Sequence, residues 1–289
     1  MTATTEMRAP RMDEMDAIGQ ALLRWGAGDP LATGMQAGDF GWLQRNGAEW
    51  MTEKFLICVD ARDEIVACGF REGDDGLWLQ IDPARFFDVA VARAIVDGVE
   101  DAGLREVSGP AAPSAVRAEL ARRGATIDPD PWPHLWRPLS DSDLIEAPGV
   151  FSTSSEALIA ERIAVQRSAF ANSTFTREKW ATMAAGSLFR PELDLVALND
   201  GGVGVSTLTA WLPESASCGV IEPMGTHRDH WRQGHGGRVL RASFAALRRQ
   251  GATGVRVGVE RTNAPAISAY TSVGFRVIGL DTTLVRQAG

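Results

Sequence analysis

The hydrophobic and polar positions in the first half of the chain form a short series of elements. Apolar runs at residues 55–60 and 65–70 flank the polar residues 61–64, and a third run at residues 76–81 precedes an amphipathic stretch at residues 84–102. Apolar runs of strand length around a polar turn predict a β-hairpin, and apolar positions at helical spacing predict a helix. The first half is therefore predicted to hold a hairpin, a third strand and a helix, in that order.

The second half repeats this series at an offset of about 150 residues, which is much longer than a solenoid unit. Its hairpin is predicted at residues 193–198 and 203–211, its third strand at residues 218–223 and its helix at residues 236–250. Each half continues with one more strand and one more helix, predicted at residues 104–108 and 116–123 in the first half and at residues 254–259 and 267–273 in the second. The repeat indicates duplicated domains.

This order predicts an α/β (α+β) protein of two tandem domains, each a mixed, mostly antiparallel sheet flanked by helices. The polar, acidic stretch at residues 140–149 ends in Pro-Gly and is expected to separate the domains. Two further helices, at residues 156–170 and 177–185, are predicted to precede the second hairpin. The predicted domains are therefore residues 1–140 and residues 150–289.

Composition and charge narrow the classes of partner. The formal net charge of −8 argues against a nucleic-acid partner, because phosphate-backbone binding depends on clustered Lys and Arg. No apolar run reaches the ~20 residues of a membrane-spanning helix, and the N-terminus lacks a secretory pattern. We therefore expect a cytoplasmic protein with no membrane partner. Three cysteines without a CxxC pair and four histidines without metal-ligand spacing predict buried thiols and no metal.

A glycine-rich turn joins the third strand of the second half to its helix. It carries Gly234, Gly236 and Gly237, and glycines at a helix N-terminus let main-chain N–H groups approach an anion. Arg238-Val239 follows where a Walker loop requires Lys-Ser/Thr and a dinucleotide fingerprint requires a third glycine. The turn therefore predicts a phosphate site of another kind, with a purely structural turn as the alternative.

This turn and the segment at residues 259–275 together resemble the GCN5-related N-acetyltransferase (GNAT) superfamily. Its pyrophosphate loop, (Gln/Arg)-x-x-Gly-x-(Gly/Ala), is matched by Gly234 and Gly236 at the start of the helix. Its later signature is matched by Asn263, Tyr270 and Gly274-Phe275. The resemblance covers residues 193–279 and, more loosely, residues 150–192. It implies two tandem acetyltransferase-fold domains, an arrangement similar in architecture to the mycothiol synthase type.

The resemblance also implies acetyl-CoA as the cosubstrate. The residues expected to bind it are Met224, Gly225 and Thr226 through their backbone at the pantetheine arm, then Arg232, Gln233, Gly234, His235, Gly236 and Gly237 at the pyrophosphate, and Asn263. One departure concerns the first loop position, where Trp231 stands in place of Gln or Arg. Arg232 beside it is expected to supply the charge.

Catalytic roles follow from the same resemblance. Tyr270, the single tyrosine of the chain, is expected to protonate the departing coenzyme A thiolate, with packing of its ring as the alternative. Glu222 is the first candidate for the base that takes the amine proton, and it could instead bind a cationic acceptor. His227 is the second candidate base and Glu260 the third.

The first half of the chain lacks the corresponding glycine turn, Asn and Tyr. Residues 77–97 contain no glycine, and at the offset of about 150 residues Pro113 replaces the Asn and Leu120 replaces the Tyr. Asp82 and Asp88 near the helix start would repel a pyrophosphate. We therefore predict a degenerate domain that binds no coenzyme. Its Trp-rich stretches are expected to pack in the core and between domains, with an acceptor pocket as the alternative: Trp42, Trp50, Trp78, Trp132 and Trp136.

These features together predict an acetyl-CoA-dependent N-acetyltransferase. The partners are acetyl-CoA and an amine acceptor, and the protein is expected to be a monomer or a homodimer. A small-molecule primary amine that attacks the thioester directly is the first choice. A protein or peptide N-acetyltransferase and a non-catalytic acyl-CoA-binding protein are the alternatives.

Overall fold

A computed structural model describes residues 5–27, 33–212 and 217–286 of the protein. In chain order the strands and α-helices are β1 Glu6–Arg8, α1 Met15–Ala27, α2 Ala37–Leu43, α3 Ala48–Lys54, β2 Phe55–Val59, β3 Ile65–Glu72, β4 Gly76–Ile81, α4 Val89–Asp101, β5 Glu106–Pro110, α5 Ala115–Arg122, β6 Thr126–Ile127, β7 Trp132–Pro138, β8 Val150–Ser152, α6 Glu156–Ala169, α7 Arg177–Ala184, β9 Asp194–Leu198, β10 Gly204–Trp211, β11 Cys218–Thr226, α8 His235–Arg249, β12 Gly254–Gly258, α9 Ala264–Ser272 and β13 Arg276–Val285. Short 3-10 turns lie between some of them. No helix among the described residues is long and apolar enough to cross a membrane.

The chain forms two compact units that do not follow chain order throughout. The first unit consists of residues 1–36, 48–134 and 279–289, and the second of residues 37–47 and 135–278. Helix α2 therefore belongs to the second unit although it comes from the first half of the chain. This division differs from the predicted domains, residues 1–140 and 150–289, at residues 37–47, 135–140 and 279–289. The predicted domain boundaries stay a prediction.

The first unit has a sheet in the order β1-β2-β3-β4-β5-β13, with β6 beside β13. Neighbouring strands within this sheet are antiparallel, except β4 and β5. These two strands run parallel from the pair Gly76–Glu106 to the pair Trp78–Ser108. Helix α4 makes the connection that a parallel pair requires. The sheet and helices α4 and α5 enclose one apolar core.

The second unit repeats this arrangement in the order β8-β9-β10-β11-β12. Only β11 and β12 are parallel among these neighbours, and helix α8 connects them. Helix α8 buries Val239, Leu240, Phe244 and Leu247 against the sheet, at the three- and four-residue spacing of one helix face. The predicted fold class, two mostly antiparallel sheets flanked by helices, is confirmed.

Some element ends differ from the predicted ones for local reasons. The helix predicted from residue 84 begins at Val89, because Pro83–Arg85 form a 3-10 turn and Asp88 caps the helix. Strand β11 was predicted to end at Pro223 and continues to Thr226. Its pairing with β10 is irregular between Leu208 and Ala210, where Glu222 and Pro223 of β11 lie opposite a single residue of β10, and it resumes beyond the proline.

A fully buried ion pair holds helices α6 and α7 against the second sheet. Arg162 and Asp194 are both 0% exposed, and Arg162 Nε donates to Asp194 Oδ1 at 3.1 Å. Arg162 Nη2 donates to Thr209 Oγ1 at 2.9 Å. Thr153 Oγ1 and Trp180 Nε1 donate to Asp194 Oδ2 at 2.6 and 2.9 Å. Because buried charges are tolerated only when paired and hydrogen-bonded, this network fixes the helices relative to the strands.

We expect Arg162→Met to destabilise the protein by about 3–5 kcal/mol, because it leaves the Asp194 carboxylate buried without its cation. The matched control is Arg177→Met, which breaks an ion pair with Glu156 whose side chains are 43% and 77% exposed. That change should lower the free energy of unfolding much less, because an exposed ion pair contributes little to stability. Urea denaturation of both variants measures the difference, and equal losses would contradict the structural role of the buried pair.

Candidate active site

The second sheet opens where its two parallel strands part. Pairing between β11 and β12 runs from Cys218–Gly254 to Val220–Arg256. Beyond that point β11 continues to Thr226 and pairs with β10, through Leu208–Met224 and Ser206–Thr226. About half of the backbone N–H and C=O groups in this part of β11 point away from β10. On that side this part of β11 has no strand partner among the described residues.

The glycine turn after β11 leaves the start of helix α8 uncapped. Gly234 is the N-cap in the left-handed conformation, with φ +83° and no side-chain cap. The first N–H groups of a helix have no intrahelical acceptor, and the helix dipole favours an anion there. A Cβ on Gly234 would meet no atom within 4 Å, and one on Gly236 would lie 3.0 Å from Met224 Cε. The turn therefore fits the predicted pyrophosphate cradle.

Basic side chains lie near this cradle. Arg241 places an Nη atom 3.3 Å from where a Cβ on Gly237 would lie. Arg232 is exposed and adopts a positive φ of 60°. Burial, followed by the charges of Arg238 and His230, lowers the pKa of His235 below its ordinary value. The arginines give the cradle a positive potential that suits a pyrophosphate.

The other residues predicted to contact the coenzyme have structural hydrogen bonds of their own. Trp231 donates its indole N–H to Thr226 O at 2.9 Å, and Ser206 Oγ donates to Gly225 O at 2.9 Å. Asn263 caps helix α9, because its Oδ1 accepts from Ala266 N at 3.2 Å. Two carbonyls of the predicted pantetheine segment are thus engaged within the protein. The predicted coenzyme contacts of Met224, Gly225, Thr226, Gln233 and Asn263 stay predictions.

Glu222 and Tyr270 come from opposite sides of the opening. Glu222 lies on β11 just beyond the last pair with β12, and Tyr270 lies on α9, which follows β12. The Tyr270 ring is 5% exposed and lies 5.4 Å from the ring of Phe275. Burial, and then the Glu222 charge, raise the pKa of Tyr270 above its ordinary value. The two predicted catalytic side chains therefore interact electrostatically.

Glu222 has the pKa of a base that works near neutral pH. Burial, followed by the nearby charge of Asp39, raises its pKa to about 8, although the charge of Arg45 opposes this shift. A base is most effective when its pKa lies near the working pH. The structure thus places Glu222 in surroundings that suit proton transfer from an amine.

His227 and Glu260 are less suited to the role of base. His227 Nδ1 accepts from Asp229 N at 3.3 Å and caps a short 3-10 turn. Glu260 is exposed and accepts from Thr262 Oγ1 at 2.6 Å. Neither contributes to the pKa shift of Tyr270.

The sequence analysis missed residues 37–47, which belong to this unit. Gly38 and Gly41 lie on one face of helix α2, and a Cβ at either position would come within 2.9 Å of Trp211. Trp211 Nε1 in turn donates to Glu222 O at 2.7 Å. This close packing brings Asp39 and Arg45 near Glu222. The spacing of the two glycines was a signal of helix packing, but nothing in the sequence named their partner.

The corresponding helix start in the first unit is closed by a carboxylate. Asp88 Oδ1 accepts from Ala90 N at 2.9 Å and from Val91 N at 3.2 Å. These are donor groups of the kind that remain open at Gly234. Leu120, at the position that matches Tyr270, is buried at 1% exposure. The predicted absence of a coenzyme in this unit stays a prediction, supported by the Asp88 cap.

Comparisons with known proteins agree with this geometry. Residues 160–275 match the acetyltransferase (GNAT) family. A GCN5-related N-acetyltransferase from Sphaerobacter thermophilus is 18% identical, with a TM-score of 0.59 over 98% of this chain and 95% of that one. A tandem GNAT protein from the clavulanic acid biosynthesis pathway is 13% identical, with a TM-score of 0.58 over 99% of each chain.

A GNAT-family acetyltransferase from Colwellia psychrerythraea is 12% identical, with a TM-score of 0.64 over 97% of this chain and all of that one. The comparison with curated protein sequences gave no match. At these identities the solved structures show the shared fold. They also span nearly the whole chain, including both units.

We expect Gly234→Ala to weaken acetyl-CoA binding at least about tenfold, because the added methyl group and the shift away from positive φ close the cradle. Gly251→Ala at the other end of α8 is the matched control. It has a φ of +90° and, like Gly234, open space around its Cβ. Each variant should lose about 1–2 kcal/mol of stability from backbone strain. Calorimetry should show weaker binding in Gly234→Ala alone, and equal affinity in both would place the pyrophosphate elsewhere.

Proposed function

We propose that the chain, whose residues 160–275 match the GNAT family of acetyltransferases, transfers an acetyl group from acetyl-CoA to the primary amine of a small molecule. The observation that carries the proposal is the opening between β11 and β12. The uncapped start of α8 lies at the end of the turn after β11, Glu222 lies on β11 just beyond its last pair with β12, and the Glu222 charge contributes to the raised pKa of Tyr270. An anionic coenzyme, a base and an acid are what acyl transfer to an amine requires.

In the proposed reaction the amine nitrogen attacks the thioester carbonyl directly. Acetyl-CoA supplies the activated acetyl group. Glu222 takes the proton that the amine must lose, since an ammonium cannot act as a nucleophile. The new C–N bond gives a tetrahedral intermediate, which collapses as the C–S bond breaks, and Tyr270 gives its proton to the departing sulfur. The raised pKa of Tyr270 keeps its hydroxyl protonated at neutral pH.

The state of the cysteines favours direct attack over a covalent acyl-enzyme. Cys58, Cys68 and Cys218 are all buried and free. Burial raises the pKa of each thiol above its ordinary value. Because the thiolate is the nucleophile, a buried thiol with a raised pKa is a poor acyl acceptor.

The packing of residues 37–47 supports a small acceptor. Helix α2 lies against β10 and β11, and the turn that follows it lies against α7. Trp42 of this segment contacts the Phe175 ring at 5.3 Å. These packed residues, 37–47, lie near Glu222. Their packing favours a compact amine as the acceptor over an extended polypeptide.

We expect Tyr270→Phe to lower kcat by about 10²–10⁴-fold with little change in acetyl-CoA affinity, because it removes the acid and keeps the ring. Thr271→Val is the control, since it removes the hydroxyl of the next residue, which bonds only within its own helix. That variant should retain activity within about twofold. Thiol release from acetyl-CoA with a panel of amines measures both, and a loss under about twofold in Tyr270→Phe would assign the ring to packing.

We expect kcat/KM to rise with pH through about 8, because Glu222 acts as a base only when it is ionised. Glu222→Gln should lower the rate and abolish this rise, which is the acidic limb of the pH profile of kcat/KM. Asp39→Asn should move the limb to lower pH, because the Asp39 charge raises the Glu222 pKa. The exposed Asp200→Asn serves as the control and should leave the limb in place. A limb that persists in Glu222→Gln would assign the base to another residue.

A further inference from the structure

Arg45 is a half-buried cation at the site without a carboxylate partner among the described residues. Its guanidinium lies over the Trp42 ring, 3.9 Å from the centroid, and its Nη1 donates to Trp42 O at 2.6 Å. Both contacts are made within its own helical turn. The remaining N–H groups of the fork have no hydrogen-bond acceptor among the described residues.

The position of Arg45 is fixed by tight packing. Gly41, four residues earlier, lies so close to the Trp211 ring that an added Cβ would come within 2.6 Å of it. Trp211 holds Glu222 O through its indole N–H at 2.7 Å. On the other side, a Cβ on Gly186 would lie 2.6 Å from Gln44 Oε1. The turn that carries Arg45 is therefore packed on both sides, against Trp211 and against Gly186, and the charges of Arg45 and Glu222 act on each other.

The charges around Arg45 only partly balance its own charge. Burial, opposed by the charge of Glu222 and reinforced by that of Arg162, lowers the pKa of Arg45 to about 10. Arg162 already has its counter-ion, because its Nε donates to the buried Asp194. Glu222 with its pKa near 8 is largely uncharged at neutral pH, so it neutralises Arg45 only in part. A half-buried guanidinium in this setting gains from an anionic group of a ligand.

Building on the proposed function, we propose that the acceptor carries a carboxylate next to its amine, that Arg45 binds this carboxylate, and that Glu222 receives the amine. A planar carboxylate matches the fork of a guanidinium through paired hydrogen bonds. A doubly charged phosphate fits less well, because the carboxyl groups of Glu222 and Asp39 lie near the same place. The substrate class is therefore an amino acid or a closely related amino carboxylate.

The test compares each proteinogenic amino acid with its own carboxamide, which keeps the amine and removes the negative charge. The measured quantity is the ratio of kcat/KM for the acid to kcat/KM for the amide, from thiol release. Arg45→Gln should lower this ratio about 10–100-fold, chiefly through the KM of the acid. Arg45→Lys should restore part of it, because the charge remains while the fork is lost. Arg177→Gln, a change at an exposed arginine, should leave the ratio unchanged.

Thermal melting and acetyl-CoA affinity of each variant show whether it is folded, and both should match the unaltered protein. An unchanged ratio in Arg45→Gln overturns the role of Arg45 and leaves the acetyltransferase function standing. Acetylation of carboxamides alone, or of no amino acid, likewise overturns the proposed acceptor class. Failure of the unaltered protein to bind acetyl-CoA would instead contradict the proposed function itself.

Discussion

The site depends on one constraint, the parting of β11 from β12 after three pairs of residues. Val220 and Arg256 are the last pair, and from there β11 is held by β10 alone among the described strands of its sheet. The backbone edge exposed in this way would be costly to bury without a partner. Glu222 lies on β11 just beyond the last pair with β12, and Tyr270 lies on the helix that follows β12.

The two units share this parting and differ at the start of the helix. In the first unit the parallel pairing also ends after three pairs, at Trp78 and Ser108, while β4 continues to Ile81. Its helix then begins under the carboxylate of Asp88, which accepts from two main-chain N–H groups. In the second unit Gly234 leaves such groups open. The topology alone therefore makes no anion site, and the choice between an aspartate and a glycine N-cap separates the two units.

Local patterns were enough to predict most of the helices and strands. Helix α8 was predicted to within one residue at each end, because its apolar spacing is regular and glycines flank it. The start of α4 was misjudged, since an apolar pattern extends through the Pro83 turn. Strand β13 was missed, and its role is non-local, because Asp281 to Val285 pair with β5 far away along the chain. The spacing of apolar residues indicates which face of a helix or strand is buried, but it does not identify the distant strand with which that element pairs.

The same limit explains why Gly234, Tyr270 and Glu222 could be named from the sequence, whereas Arg45 could not. The first three lie in or beside segments whose order and spacing carry a family resemblance. Arg45 comes from the other half of the chain, and its place is set by how Gly41 packs on Trp211. A side chain whose position is set by packing has no recognisable sequence motif, because many different sequences can pack against the same surface. In a duplicated fold, chemistry common to the family is thus legible in one copy. Residues 37–47, which the first half of the chain contributes to the second unit, carry no such resemblance, so their place beside Trp211 is seen only in the folded chain.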